Sequence, residues 1–186
     1  MRRTPLIATS LALLGGASRV HAEPEWNVAA QANVCGLGSD RVWQKTGFCG
    51  ALRGDLLFGR SRNADFALGP YATVGTATFS DVRFGGGLSL LIPTLEGDFP
   101  ILLSAGAHSR NGSDLRLAGE VFFGLRSHNF HGHYAMASGL VLGGDSVLAG
   151  PRGNTLYVGV QIDGLWLALP FILAYEWLHP APDPGD

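Results

Sequence analysis

Hydrophobic and polar residues alternate along most of this chain. From residue 26 onward, eight segments carry apolar residues at about every second position, and turn-forming residues separate the segments. A period of two is that of a β-strand, whose successive side chains point to opposite faces. The predicted strands cover residues 26–34, 48–60, 66–78, 82–92, 99–109, 115–126, 133–144 and 155–167. Since no helix separates them, the pattern predicts an all-β, eight-stranded antiparallel up-and-down barrel.

Each predicted strand has one apolar face and one face of small, polar or charged residues. In the segment GALRGDLLFGR, Leu52 and Leu56 lie on one side of the strand, and Arg53 and Asp55 on the other. The exposed faces of soluble domains are usually rich in Lys and Glu, but Lys45 is the only lysine of this chain. A glycine-rich, charged face suits the narrow interior of a small membrane barrel. We therefore expect the apolar faces to meet lipid.

The faces assigned to the interior carry charged residues that have to be paired if they are buried. They are Arg53, Asp55, Arg83, Arg116, Glu120, Arg126 and Asp163. A binding site or a proton path is one use for such a set. An eight-stranded barrel is only just wide enough to be filled by side chains, so the sequence favours a salt-bridged network that holds the barrel together. Which arginine meets which acid is not encoded in the pattern.

The first 22 residues predict a secretory signal peptide. Arg2 and Arg3 precede an apolar run over residues 6–16, and Val20-His21-Ala22 forms a cleavage-type sequence. The alternatives are an uncleaved anchor and a buried helix, but the run is short for a bilayer. The expected organisation is a signal peptide over residues 1–22, a barrel domain over residues 23–178 and a disordered tail over residues 179–186.

Charge excludes one class of partner. The predicted signal peptide holds three of the thirteen basic residues and no acidic one, which leaves ten basic and fifteen acidic side chains, a net charge of −5. A mildly acidic chain is a poor match for a phosphate backbone. We therefore expect no nucleic-acid partner.

Two cysteines, Cys35 and Cys49, flank a polar segment. An even number of cysteines in an exported chain predicts a disulfide. Two unpaired small hydrophobic residues are the plain alternative. A metal site would lack a nearby histidine or a second cysteine pair.

Together, the signal peptide, the eight alternating segments and the aromatic residues near strand ends resemble the small eight-stranded outer-membrane barrels of the OmpA and OmpX type. The aromatic residues are Phe48, Phe66, Phe79, Phe99, Tyr134 and Trp166. The resemblance is one of pattern over residues 26–167 and includes no signature motif. It implies a place in the outer membrane of a Gram-negative envelope, contact with outer-membrane lipid and insertion by the outer-membrane assembly machinery. We expect a non-enzymatic protein without cofactor or metal, with a structural, adhesive or small-solute role.

The end of the chain departs from that family, whose barrels usually finish with an aromatic residue at the terminus. Here the chain continues through ALPFILAYEWL to HPAPDPGD. The extension fits a longer last strand bent at Pro170, an interfacial segment anchored by Tyr175 and Trp177, or a short helix. The first interpretation is preferred because Trp177 then supplies the aromatic residue with which the last strand of such barrels usually ends.

Ligand contacts are expected in the connections. With a periplasmic amino terminus, the external connections are the segment between the two cysteines, FSD, RNGSD and SVLAGPRGN, of which the first and last are the long ones. The candidate contacts are Arg41, Trp43, Lys45 and Arg152. The sequence does not identify the external ligand.

Several other patterns suggest chemistry less strongly. His128, His131 and His133 surround one turn, where imidazoles suit Zn, Cu or Ni, but no carboxylate or cysteine accompanies them. Gly144-Asp145-Ser146 is interpreted as a turn at a strand end.

Two alternative functions follow from the same residues. A lipid A deacylase would use a histidine, a serine and a glutamate, for which His108, Ser109 and Glu120 are candidates. Adjacent strand residues point to opposite faces, so this set requires a bulge. A soluble periplasmic carrier of apolar ligands, similar to the lipocalins, would turn the apolar faces inward.

Overall fold

The computed structural model of this chain is a closed barrel of eight antiparallel strands. It describes residues 23–39, 43–94, 99–126, 134–149 and 153–179. Each strand pairs with the next in sequence, and the first also pairs with the last. The elements are β1 (Glu25–Gly38), β2 (Lys45–Leu57), β3 (Ala67–Ala77), β4 (Arg83–Ile92), β5 (Ile101–Arg110), β6 (Asp114–Arg126), β7 (Ala137–Ala149), β8 (Asn154–Asp163) and α1 (Gly164–Leu178). The predicted up-and-down barrel is confirmed.

The strands turn their leucines outward and their charges inward. Leu52 is 55% exposed, whereas the neighbouring Arg53 is 2% exposed. Every charged residue of the eight strands lies in the inward-facing alternation, so the outward positions of these strands carry no charge. The wall formed by the strands is therefore uncharged and mostly apolar over its whole circumference.

The connections with fewer residues join the strands at one end of the barrel, which we call the distal end. Between β5 and β6, Asn111 and Gly112 both have positive φ angles, and the Ser113 amide donates to the Arg110 carbonyl at 3.1 Å. An Asn-Gly pair is the preferred sequence for such a two-residue hairpin turn. The opposite end, where β1 begins and β8 ends, is called the terminal end below.

Glycines allow the neighbouring strands to approach closely. A methyl group added at Gly87 would overlap the carbonyl oxygen of Ala105, and one added at Gly106 would overlap that of Gly86. The glycine run of β4 thus serves strand packing inside a narrow barrel.

An apolar cluster fills the terminal half of the interior. Its members are all buried: Leu57, Ala67, Leu91, Leu102, Phe122, Ala137 and Val141. Side chains therefore close this half of the barrel, as expected for eight strands.

The segment after β8 is a helix, so the preferred interpretation as a longer last strand is wrong. β8 ends at Asp163 and α1 follows at once, with the Asp163 carboxylate accepting a hydrogen bond from the Leu165 amide. An acidic side chain at this position is a favourable helix N-cap. Among the described residues, no helix is both long and apolar enough to cross a membrane.

The connections also differ in length from the expectation. At the distal end they span residues 39–44, 78–82, 111–113 and 150–153, and at the terminal end residues 58–66, 93–100 and 127–136. The expectation that SVLAGPRGN forms a long loop is wrong, because β7 continues to Ala149 and β8 begins at Asn154. The predicted signal peptide and the tail beyond residue 179 lie outside the described residues.

In the turn between β2 and β3, the carboxylate of Asp65 caps the backbone. It accepts hydrogen bonds from the Ser61 amide, the Ser61 hydroxyl and the Arg62 amide at 2.9–3.0 Å. The bonds from Ser61 hold the pKa of Asp65 below its usual range. This turn is therefore organised by local contacts.

Cys35 and Cys49 form the predicted disulfide. The bond joins β1 to β2 on the interior side, and the two cysteines are 0% and 7% exposed. Because 14 positions separate them in sequence, chain entropy gives a stabilisation of about 2–3 kcal/mol.

We expect the double variant Cys35→Ala/Cys49→Ala to fold with a free energy of unfolding lower by about 2–3 kcal/mol. Denaturant titration in detergent micelles measures the difference. The unmodified chain, reduced after unfolding, serves as the control and should refold to the stability of the double variant. An unchanged denaturation midpoint would contradict the prediction.

Candidate functional site

Arg53 is the centre of a polar network in the middle of the barrel. Its guanidinium forms two hydrogen bonds with Asp55, at 2.8 and 3.1 Å, and one with Glu120 at 2.8 Å. Ser89 and Ser104 each accept a further bond at 2.7 Å. The group also lies 4.2 Å from the centre of the Tyr71 ring, a cation–π contact. Each of the three nitrogens of the buried guanidinium thus donates at least one hydrogen bond.

The acids of this network are satisfied in turn. Glu120 accepts hydrogen bonds from Gln31 at 3.0 Å and from Tyr157 at 2.8 Å, in addition to Arg53. Arg126, which is fully buried, lies 3.5 Å from Asp55. Buried charges are tolerated when they are paired and hydrogen-bonded. Arg53, Asp55 and Glu120 meet that requirement, whereas the guanidinium nitrogens of Arg126 form no hydrogen bond with the described residues and have only the ion pair with Asp55.

A second network lies near the distal end. Asp145 contacts Arg83 at 3.1 Å, Arg116, and His108 at 3.7 Å. Arg83 also pairs with Asp81 at 3.1 Å, which links the network to the turn between β3 and β4. Two carboxylates thus organise several cations just below the distal rim, since Arg110 pairs with Asp81 as well, at 2.8 Å.

Between the two networks is a small cavity of about 80 Å³. Its lining combines apolar surface with polar and charged side chains, among them Asn33, Glu120, Tyr157, His108 and Asp145. Above it, a second cavity of about 280 Å³ opens at the distal rim. Pockets for drug-sized ligands usually measure ~300–1,000 Å³, so the inner cavity can take only a very small molecule.

A third group of contacts surrounds Asp163 at the terminal end. The fully buried carboxylate accepts hydrogen bonds from the Asn27 amide and the Ala137 backbone at 2.7 Å, and from the Tyr134 hydroxyl and the Leu165 backbone at 2.8 Å. Burial, together with the bond to Asp163, raises the pKa of Tyr134 to about 12. The hydroxyl therefore stays protonated and donates. One side chain thus joins β1, the approach to β7 and the start of α1.

The seven charged residues predicted for the interior all project into it, but they do not form a single cluster. Arg53, Asp55, Glu120 and Arg126 belong to the middle network. Arg83 and Arg116 meet Asp145 near the distal end, and Asp163 lies apart at the terminal end.

Five further charged partners, Glu25, Arg60, Asp81, Arg110 and Asp145, are absent from the predicted set. Asp81 and Asp145 were assigned to turns, although each continues the inward alternation of its strand. Glu25 and Arg60, which pair at 3.2 Å, lie at the edges of the predicted strands. An alternation extended by a few residues at the strand ends finds Glu25, Asp81, Arg110 and Asp145. It does not find Arg60, which has the outward parity of β2 and follows Gly59, where a positive φ interrupts the strand.

The candidates for lipid hydrolysis are not brought together. β5 pairs with both neighbours without a register shift at His108 and Ser109, so their side chains point to opposite faces. Glu120 is bonded to Arg53, Gln31 and Tyr157 instead. The deacylase-like arrangement would require the bulge that β5 lacks.

Of the predicted loop contacts, two can be located. Trp43 is half exposed and donates to Thr46 at 2.9 Å. Lys45 is the first residue of β2 and lines the distal cavity. Arg41 and Arg152 lie outside the described residues, as do His128, His131 and His133.

Comparison with known proteins adds no relative. No family model, curated protein or solved structure matches this chain. The resemblance to small outer-membrane barrels therefore rests on the sequence pattern alone.

Proposed function

We propose that this protein is an integral barrel of the bacterial outer membrane with a structural role, held in lipid by its outer wall. The observation that carries the proposal is the distribution of charge: the charged residues of the eight strands lie in the inward alternation, and the outward positions are uncharged. A wall in water would expose this apolar surface, whereas hydrocarbon accepts it.

The size of the strands agrees with this proposal. They contain between 10 and 14 residues, and a tilted strand needs about 9–11 to cross a bilayer. Exposed aromatic side chains lie near both ends of the barrel, as in the aromatic girdles of membrane barrels. They include Phe48 and Phe79 at the distal end, and Trp26, Phe58 and Phe66 at the terminal end.

The filled interior favours a structural role over transport. The apolar cluster closes the terminal half, and the Arg53 network closes the middle. A carrier of apolar ligands needs a large cavity free of charged groups, but the inner cavity measures only about 80 Å³, and Arg53, Glu120 and Asp145 line part of it. The geometry thus supports neither a wide pore nor a lipocalin-like carrier.

The substitution Leu52→Arg tests the proposal. Leu52 lies near the middle of β2 and points outward, so we expect the variant to lose about 2–4 kcal/mol of stability in a bilayer. Leu56→Arg, closer to the terminal end, should cost less because the penalty falls with distance from the midplane. Urea unfolding in phospholipid vesicles, monitored by the gel mobility of unheated samples, measures the stability of both variants.

Ala64→Arg provides the matched control, because Ala64 is exposed in the turn between β2 and β3. Its stability should stay within about 0.5 kcal/mol of the unmodified protein. The proposal fails if Leu52→Arg behaves like Ala64→Arg, or if the mature chain folds and remains soluble without detergent or lipid.

A further inference from the structure

The helix α1 is apolar on every side. Its 15 residues, GLWLALPFILAYEWL, include a single charged side chain, Glu176, and none of them is buried. Its large apolar side chains are between 39% and 80% exposed. Successive residues of a helix are rotated by about 100°, so the exposed run Phe171-Ile172-Leu173 alone points in three directions.

The absence of a polar face on α1 indicates what kind of surface covers the helix. A protein partner or a second copy covers one face, and a helix that docks in this way has an apolar stripe and a polar back. α1 has no polar back. Lipid acyl chains surround a helix from all sides, so they match its whole circumference.

The length and the ends of α1 limit its orientation. Fifteen residues extend about 22 Å, less than the ~30 Å of the hydrocarbon core. The first turn is tied to the barrel rim by Asp163, and His179 and the polar sequence PAPDPGD follow the last turn. Because both ends are polar and the helix is short, both ends belong at the same interface.

The neighbouring residues support an interfacial position. Trp26 and Tyr134 form an edge-to-face pair with ring centres 4.6 Å apart, next to the start of α1. Trp166 lies near the first turn of the helix and Trp177 near its last, which suits the preference of Trp for the headgroup level. Pro170 has no N–H for the Trp166 carbonyl, and water at an interface can reach that oxygen.

From these observations we infer that α1 lies in the plane of the bilayer at the terminal end, embedded among the acyl chains just beneath the headgroups of one leaflet. The inference rests on the proposed membrane function. It gives the barrel a lateral anchor in a single leaflet, continuous with the apolar wall at β1 and β8.

Tryptophan quenching by lipids brominated along their acyl chains tests this inference. Two single-tryptophan variants retain either Trp166 or Trp177, with the other three tryptophans replaced by Phe. A wall reporter replaces all four and adds Leu103→Trp on the outward face of β5. A water reporter adds Ala64→Trp instead. All are full mature chains folded in phosphatidylcholine vesicles.

We expect both helix tryptophans to lose most of their fluorescence to bromine placed near the headgroups and less to bromine near the chain ends. The wall reporter should be quenched most by deep bromine, and the water reporter by neither. A quenched wall reporter with unquenched helix tryptophans would overturn the inference and leave the proposed function intact. If the wall reporter also remains unquenched, the proposed function itself fails.

Two further results would overturn the inference. Stronger quenching of Trp177 by deep than by shallow bromine would place the helix end inside the hydrocarbon core. Helix tryptophans shielded from both lipids, with efficient disulfide cross-linking of a Leu173→Cys variant between copies, would assign α1 to a second copy. Phe171→Glu should shift Trp177 emission to the red while the barrel stays folded, and Phe171→Leu should leave the emission unchanged.

Discussion

Replacing Arg53 with methionine is expected to destabilise the barrel by about 3–5 kcal/mol. Arg53 contacts Asp55 and Glu120 at 2.8 Å, and all three side chains are almost completely shielded from solvent. Methionine retains the unbranched shape of arginine but leaves the two carboxylates without their common cation. Removing one partner of a buried ion pair is costly because the remaining charge is uncompensated. Equilibrium unfolding by urea in micelles measures the loss.

Arg62→Met is the matched control. Arg62 also pairs with an acid, Asp65 at 3.9 Å, but its side chain is 83% exposed. Exposed ion pairs contribute about 0–1 kcal/mol, so this variant should be nearly as stable as the parent. Adding Glu120→Gln to Arg53→Met removes one of the orphaned charges and should restore part of the loss. Equal stability of Arg53→Met and Arg62→Met would refute the role assigned to the middle network.

Asp163→Ala is the second substitution with a large expected effect. The variant removes the acceptor of four hydrogen bonds. The Ala137 N–H and one N–H of the Asn27 amide are then left buried without a partner, whereas the Tyr134 hydroxyl can still donate to the Val28 carbonyl at 3.2 Å. Each buried donor left unsatisfied costs about 1–3 kcal/mol, so a total of about 2–6 kcal/mol is expected for the two. Thermal unfolding monitored by circular dichroism in micelles should show the lower stability, together with a loss of helical signal from α1.

Graded variants separate this effect from simple cavity formation. Each carboxylate oxygen of Asp163 accepts two of the four bonds. Asp163→Asn keeps one such oxygen and should lose an intermediate amount of stability, whereas Tyr134→Phe removes one donor and should lose about 1 kcal/mol. A loss for Asp163→Ala no larger than that for Tyr134→Phe would show that the carboxylate does not organise the terminal end.

The alternation of the sequence was sufficient to predict the strands and the direction of their side chains. The outward direction of Leu52 and the inward direction of Arg53 follow from a period of two, once the scarcity of lysine indicates that the outer face of the barrel does not meet water. The same rule places His108 and Ser109 on opposite faces. These properties are local, so a single sequence contains them.

The partners of the charged residues and the secondary structure of the segment after β8 were not predictable in this way. Arg53 and Glu120 are 67 positions apart, and Arg83 and Asp145 are 62 apart, so their contacts depend on the stagger of strands around the closed barrel. The residues of α1 are apolar at nearly every position, and such a run shows neither a period of two nor one of 3.6. Helix and strand were therefore indistinguishable there.

The burial of the disulfide has a consequence for the order of events during biogenesis. Cys35 and Cys49 face the inside of the closed barrel, next to Ala77 and beneath the distal rim. An oxidising enzyme is far too large to enter that space, and thiol oxidation requires direct access to the sulfur atoms. If an enzyme makes this bond, we expect it to form on the unclosed chain, before β1 joins β8, so that the β1–β2 hairpin is already cross-linked when the barrel closes.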